Sequence, residues 1–128
     1  MSNRISLVLA ALIASIAAVG CGGGGSIGDG TLPLEATPGK ILVKSAGCSA
    51  SGFAGPRIMV YGGVEPYTIH NPWPEQIQLS TTYLEDAGDS FEVSLTGGMC
   101  LDAIELTIID SDANVQTVTI SHINSIGN

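Results

Sequence analysis

The sequence predicts an all-β domain, folded as a single antiparallel β-sandwich. Apolar and polar residues alternate over residues 91–95 and again over 104–108, which is the pattern of strands buried on one face. Glycine, proline, aspartate and asparagine separate the short apolar segments, and no helical periodicity continues over several turns. Short strands with turn residues between them favour a sandwich.

Eight strands are predicted after residue 31, and no internal repeat is visible, so a single module is expected. Residues 110–114 (DSDAN) form the predicted hairpin turn between the last two strands, because Asp and Asn tolerate the left-handed backbone conformation. The predicted strands are 32–35, 40–44, 57–61, 67–70, 76–80, 90–96, 103–109 and 115–121.

The first twenty residues have the layout of a secretory signal peptide. Residues 1–4 are polar with one positive charge, and residues 5–19 are uncharged and mostly apolar. This apolar segment is shorter than the roughly 20 residues that a membrane-spanning helix needs, and small residues and glycines follow it. An N-terminal core helix is the alternative, but the glycine run would separate it from the rest of the domain.

The end of the leader, Ala18-Val19-Gly20-Cys21, resembles the lipobox of bacterial lipoproteins. The resemblance implies that the Cys21 sulfur accepts a diacylglyceryl group whose chains are fatty acids such as palmitate, that the chain is cleaved before Cys21, and that the lipid attaches it to a membrane of the bacterial cell envelope. Ala18 departs from the usual leucine, and the same small residues suit an ordinary signal peptidase, so plain secretion is the alternative. An odd number of cysteines in an exported chain favours acylation. Gly22 is not the aspartate that retains some lipoproteins at the inner membrane, which favours the outer membrane.

Residues 21–30 are predicted to be a lipidated cysteine followed by a glycine-rich tether, and residues 31–128 the folded domain. The part after the leader carries twelve acidic residues against three fixed cations, which are Lys40, Lys44 and Arg57. Such a surface repels nucleic-acid phosphates and anionic lipid headgroups. The composition therefore argues against a nucleic-acid partner.

Cys48 and Cys100 are predicted to form a disulfide, because an exported chain meets an oxidising compartment. Closing a loop of this length stabilises a domain by about 4 kcal/mol in the chain-entropy treatment. Two independent buried thiols are the alternative.

Three segments of the folded part resemble bacterial immunoglobulin-like domains. Residues 62–69 (GGVEPYTI) are similar to their GG-x-x-PY-T motif, residues 87–93 (AGDSFEV) to a strand lead-in, and residues 106–111 with 115–120 to their last two strands. The resemblance implies an immunoglobulin-like sandwich. Trp73 lies outside the antibody-type position and Gly98 replaces the tyrosine-corner residue, so the antibody-type core is not implied. Such a fold has many functions.

No pattern indicates an enzyme or a cofactor. His70 and His122 are the only histidines, neither lies in a nucleophile motif, and both are interpreted as surface or strand-end residues. A small hydrolase remains a remote alternative. Asp110, Asp112 and Asn114 begin like a calcium loop, but Val115 and Ser121 replace the required glycine and glutamate, so this is not an EF-hand. A weak calcium site shared with the acids of residues 85–89 is a minor option beside a plain acidic turn.

Trp73 and Tyr67 are the candidate partner-binding residues. Trp73 lies between two prolines, where an exposed indole could stack on a sugar or a protein; a tryptophan folded back over the small core is the alternative. The sequence thus predicts a lipid-anchored, non-enzymatic envelope protein with a binding or structural role, and the partner remains open between a protein and a glycan. The alternative is a secreted adhesion or carbohydrate-binding module without an anchor.

Overall fold

The computed structural model describes residues 28–126, and the predicted leader, Cys21 and the first part of the tether lie outside them. The described chain contains eleven strands and one 3₁₀ turn at Ala46–Cys48. The strands are β1 Glu35–Thr37, β2 Lys40–Ser45, β3 Gly52–Phe53, β4 Ile58–Tyr61, β5 Tyr67–His70, β6 Ile77–Leu79, β7 Tyr83–Leu84, β8 Ser90–Phe91, β9 Val93–Leu95, β10 Leu101–Ile109 and β11 Val115–Asn124. The all-β prediction is confirmed.

The strands form a sandwich-like arrangement of several sheets. One layer is a five-stranded sheet in the order β2-β11-β10-β5-β7. The other layer consists of two three-stranded sheets, β1-β4-β8 and β3-β9-β6. The chain passes between these two sheets twice with little interruption. Only residues 54–57 separate β3 from β4, and only Glu92 separates β8 from β9.

One strand pair differs from the antiparallel prediction. The chain leaves the second layer after β1 and joins the five-stranded sheet as β2 without reversing its direction, over Pro38 and Gly39. Because no hairpin intervenes, β2 meets β11 in parallel, with Lys40 opposite Thr119 and Ser45 opposite Asn124. The other strand pairs of residues 28–126 are antiparallel.

The core lies between the two layers and follows from the alternation in the sequence. Leu106 and Ile108 of β10 are fully buried, and Thr107 between them faces outward. Burying one such side chain stabilises the fold by about 1.5–3 kcal/mol. The other fully enclosed apolar core side chains are Ile58, Val60, Tyr67, Ile77, Phe91, Val93, Val118 and Ile120.

The sandwich has two distinct ends. The hairpin end comprises the turn of residues 110–114 together with the nearby segments 28–34, 62–66 and 85–89. The disulfide end comprises residues 45–51, 71–76, 96–100 and 122–126. Because β11 runs for ten residues from the first end to the second, the two lie roughly 30 Å apart.

Candidate functional site

The predicted disulfide between Cys48 and Cys100 is confirmed. It joins the 3₁₀ turn after β2 to the residue before β10, with the two Cα atoms 5.1 Å apart and a sequence separation of 52. Cys48 is fully buried. The bridge therefore holds the edge strand of the five-stranded sheet to its middle at the disulfide end.

His122 lies directly beneath this bridge. It lies near the end of β11, which agrees with a strand-end position, but it is only 1% exposed and so is not a surface residue, whereas His70 at the end of β5 is exposed. Ser45 Oγ lies 2.6 Å from His122 Nε2 and accepts a hydrogen bond from the Ala50 N–H at 3.0 Å. The Cys48 sulfur lies 3.3 Å from the carbonyl oxygen of His122. In residues 28–126 no carboxylate hydrogen-bonds to this imidazole, so the pair lacks the orienting group of a catalytic triad.

Trp73 stands at the disulfide end on a loop that Asn71 organises. Asn71 Oδ1 accepts from the Trp73 N–H at 2.9 Å, and Asn71 Nδ2 donates to the Ile77 carbonyl at 2.6 Å. The Trp73 carbonyl accepts from the Ile77 N–H at 2.8 Å, which closes the turn into β6. The indole is 42% exposed and, together with exposed Met99, lines a hollow of about 400 Å³. It is therefore not folded away into the core.

A second hollow lies where β5 and β6 diverge. Its volume is about 570 Å³, and Ile69, Ile77 and Leu79 contribute its apolar lining. His70 and Gln78 contribute polar groups to the same lining. The Asn71 amide bridges the two strands at one end of this hollow, because it donates to the carbonyl of Ile77 in β6.

A third hollow, of about 280 Å³, lies on the outer face of the β3-β9-β6 sheet. The strand register places Phe53, Ser94 and Gln78 in one row across this sheet. Phe53 is 73% exposed, which is unusual for an aromatic side chain that could pack elsewhere. Glu92 at the rim forms an ion pair with Arg57, with Nε and Oε1 2.9 Å apart.

These three hollows adjoin one another along β6. Pro74 lines the first and second, and Gln78 and Leu79 line the second and third. We call this continuous surface, from Trp73 past Gln78 to Phe53, the β6 groove. The sequence pointed to Trp73 only, because a two-residue strand carrying an exposed Phe53 has no periodicity that predicts its orientation.

Tyr67 does not belong to this surface, and its assignment as a partner-binding residue was wrong. Its side chain is completely buried, and its hydroxyl donates to the Gly62 carbonyl at 2.7 Å. Burial raises the pKa of the Tyr67 phenol, and the charges of Glu65 and Asp110 act in the same direction. The residue supports the turn above it from inside the fold.

The turn formed by Gly62 and Gly63 organises the hairpin end. Both glycines have positive φ, 73° and 57°, as the motif predicted. The turn also holds the first described segment of the chain, because Gly30 N–H donates to the Gly63 carbonyl and Gly63 N–H to the Leu32 carbonyl, both at 2.7 Å. The Glu65 N–H donates to the Gly28 carbonyl at 2.9 Å. Gly28 and Gly30, which were predicted to belong to the tether, are therefore hydrogen-bonded to the folded domain.

Asp110 connects the hairpin to this glycine turn. Its Oδ1 accepts from the N–H groups of Asp112 and Asn114, and its Oδ2 accepts from the Val64 N–H and the Asn114 side-chain amide, at 2.8–2.9 Å. Burial alone would raise the pKa of Asp110, but these hydrogen bonds outweigh it and hold the pKa below the ordinary value. Gly63 must lack a side chain here, because a Cβ would collide with the carboxylate.

This arrangement gives Asp110 a structural role that competes with the calcium option. Four donors already surround its two oxygens, so few lone pairs remain for a cation. Within residues 28–126, no group of three His, Cys, Asp or Glu side chains has metal-binding geometry. Asp112 and the acids of residues 85–89 do lie at the same end of the sandwich.

The comparisons with known proteins add no relative. No protein-family model, curated protein or solved structure was found to match this chain. Among residues 28–126, no helix has the length and apolar character needed to cross a membrane.

Proposed function

We propose that the protein is a lipid-anchored, non-enzymatic lipoprotein of the bacterial cell envelope, whose immunoglobulin-like domain has a binding or structural role. The observation that carries this proposal is the position of the segment that follows Cys21. This segment meets the fold at the hairpin end, opposite exposed Trp73. A domain attached at that end presents the β6 groove away from the membrane.

The distances support such a display. Cys21 and Gly28 are seven residues apart, so even a fully extended connection spans at most about 25 Å. The sandwich adds roughly 30 Å between its two ends. The hydrogen bonds of Gly28 and Gly30 to the glycine turn fix the direction in which the chain leaves the domain.

The charge distribution supports a domain that is held away from the lipid surface. More than half of the twelve acidic residues of the chain lie at the hairpin end, which the proposal places nearest the lipid. Anionic headgroups would repel this end and keep the domain off the surface. The acidic residues at the hairpin end are Asp29, Glu65, Glu85, Asp86, Asp89, Asp110 and Asp112.

The immunoglobulin-like part of the proposal draws on the arrangement of the strands and on the glycine turn. Two layers pack across one core, and the first two strands of the chain are edge strands of different layers, β1 of one and β2 of the other. The motif around Gly62 and Tyr67 occupies the connection between β4 and β5, where the resemblance expects a bridge between two strands.

The experiment is an intact-mass measurement on protein extracted from the membranes of a Gram-negative host that expresses the full chain. The expected mass lacks residues 1–20, carries a diacylglyceryl group and a further acyl chain, and lacks two hydrogens for the disulfide. Cys21→Ser should remove the acyl groups from the measured mass, whereas Ser26→Ala in the same segment should leave them in place. A cleaved chain with a free Cys21 thiol would overturn the anchor.

That last outcome would favour the second candidate, a secreted adhesion or carbohydrate-binding module without an anchor. The observation in favour of this second candidate is the end of the leader. An ordinary signal peptidase requires small side chains there, and the sequence supplies them in Ala18, Val19 and Gly20. The same mass spectrum distinguishes the two, because only the lipoprotein carries acyl groups on residue 21.

A further inference from the structure

We propose that the β6 groove binds a neutral, linear oligosaccharide, with sugar rings stacked on Trp73 and Phe53. This assignment names the partner class for the binding role proposed above and rests on that role. It concerns a surface much larger than the loop of Trp73, because the groove continues along β6 and onto the outer face of a second sheet.

The length of the groove requires an extended ligand. Phe53 lies two strand positions from Gln78, which corresponds to roughly 10 Å, and Trp73 precedes β6 by one turn. The distance between the exposed side chains of Phe53 and Trp73 is thus longer than a single sugar ring. A linear chain of several rings can contact both, whereas a single small molecule cannot.

The chemistry between the aromatic side chains suits hydroxyl groups. Gln78 offers an amide that both donates and accepts, His70 an imidazole, and Ser94 a hydroxyl. In the described part of the chain, the amide of Gln78 makes no side-chain hydrogen bond, and it lies in both adjoining hollows. Aromatic platforms with a few convergent polar groups are what binding of an amphipathic ring requires.

The charge of the groove selects a neutral ligand. Arg57 is the cation at its rim, and its guanidinium is already paired with Glu92. The whole chain carries a formal charge of −8, so an anionic polysaccharide or a nucleic acid would be repelled. A folded protein partner needs about 800 Å² on each side with an apolar centre, whereas in the groove His70 and Gln78 lie beside apolar Leu79 between the two exposed aromatic side chains.

Trp73 is the single tryptophan of the chain, so its fluorescence reports directly on the groove. We would titrate the membrane-extracted full chain with cellohexaose, xylohexaose, mannohexaose and chitohexaose, using polygalacturonate as the anionic control. A polyoxyethylene detergent replaces alkyl glycosides, whose headgroups are themselves sugars. The expected result is a shift of the emission with at least one neutral hexasaccharide and none with polygalacturonate.

Affinity electrophoresis with the corresponding polysaccharide then tests the residues. Trp73→Ala and Phe53→Ala should each weaken binding at least about tenfold, and Gln78→Ala about fivefold. Met59→Ala is the matched control, since Met59 is an exposed apolar side chain on the outer face of β4, outside the groove. Because Trp73, Phe53 and Gln78 are exposed, we expect all variants to unfold at the same temperature as wild type, and this measurement excludes misfolding as the cause of weaker binding.

Four outcomes overturn the assignment: no neutral glycan binds, only the anionic polymer binds, a peptide library yields a ligand for the groove instead, or Trp73→Ala and Phe53→Ala bind like wild type. The mass of the same sample keeps the two proposals separate. If the protein is acylated but binds no glycan, the glycan proposal fails and the anchor proposal stands. If unacylated protein binds glycan, the anchor proposal fails and the glycan proposal stands.

Discussion

The two ends of the sandwich are held together by different chemistry. At the hairpin end, a carboxylate and a set of backbone hydrogen bonds join the glycine turn, the hairpin and the first described segment. At the disulfide end, a covalent bridge and a pair of partly exposed Ser45 and buried His122 join β2 to β10 and β11. The first end therefore depends on the ionisation of one aspartate, and the second on an oxidising compartment. The proposed lipid anchor would hold the hairpin end nearest the membrane, and the contacts at this end are the ones that protonation can weaken reversibly.

Removing the disulfide should have the largest effect on stability. The double variant Cys48→Ala/Cys100→Ala is expected to lose about 4 kcal/mol of the free energy of unfolding, because the bridge closes a loop over 52 sequence positions. Urea unfolding followed by circular dichroism measures the loss. Cys21→Ser is the control and should leave the midpoint unchanged. A double variant as stable as wild type would show that the disulfide end holds without its bridge.

Asp110→Ala should have the next largest effect, about 3 kcal/mol, because it leaves several N–H donors at the hairpin end without their acceptor. The neighbouring Asp112→Ala is the matched control, since the Asp112 side chain is exposed and only its backbone N–H takes part in the network. Both are compared with wild type by urea unfolding at pH 7. Equal losses in the two variants would contradict the role of the Asp110 carboxylate.

Acid should weaken the hairpin end by a smaller amount, because a protonated carboxyl group still accepts some hydrogen bonds. The folded pKa of Asp110 lies below the unfolded value of about 3.9, so its contribution is complete above that pH and is lost as the pH falls through the folded pKa. The stability difference between wild type and Asp110→Asn should therefore narrow below about pH 4. Hydrogen bonds from Thr31 also lower the pKa of Asp29, but Asp29 is present in both proteins, so its contribution cancels in the difference. A difference that stays constant from pH 7 to pH 3 would refute this account.

Ser45→Ala should have the smallest effect, about 1 kcal/mol, since it removes the partner of buried His122 Nε2 and of the Ala50 N–H. Ser125→Ala serves as the comparison, because the Ser125 side chain is exposed and only its backbone N–H bonds to the Ser45 carbonyl. Thermal unfolding resolves the difference. If both variants unfold at the temperature of the wild type, the serine–histidine pair does not stabilise the disulfide end.

The long strands could be predicted from the sequence because each buries one face. In β10 and β11 the alternation of Leu106, Ile108, Val118 and Ile120 with polar residues matches the observed burial. The glycine turn was also predictable, since only glycine readily takes positive φ at two consecutive positions. The two-residue strands β3 and β7 were not, because two residues carry no periodicity.

The functional surface was predicted only in part. Trp73 was identifiable from its flanking prolines, but Phe53 and Gln78 reach the same groove through the register of β3, β9 and β6, which is a non-local property. Tyr67 was misassigned for a related reason. Its motif locates it in the chain, but whether a tyrosine at a strand start faces solvent or core depends on the opposite layer. The burial of His122 has the same origin, since the bridge and β2 cover it.

The parallel pairing of β2 with β11 has a mechanical consequence. Gly28 and Ile126 leave the domain at opposite ends, so traction between them acts along these strands and not across them. The six register pairs from Lys40 to Ser45 would then be loaded in shear, all at once, and would resist far better than a hairpin that unzips pair by pair. In single-molecule stretching, the domain should rupture in one abrupt step at high force; gradual extension would contradict this.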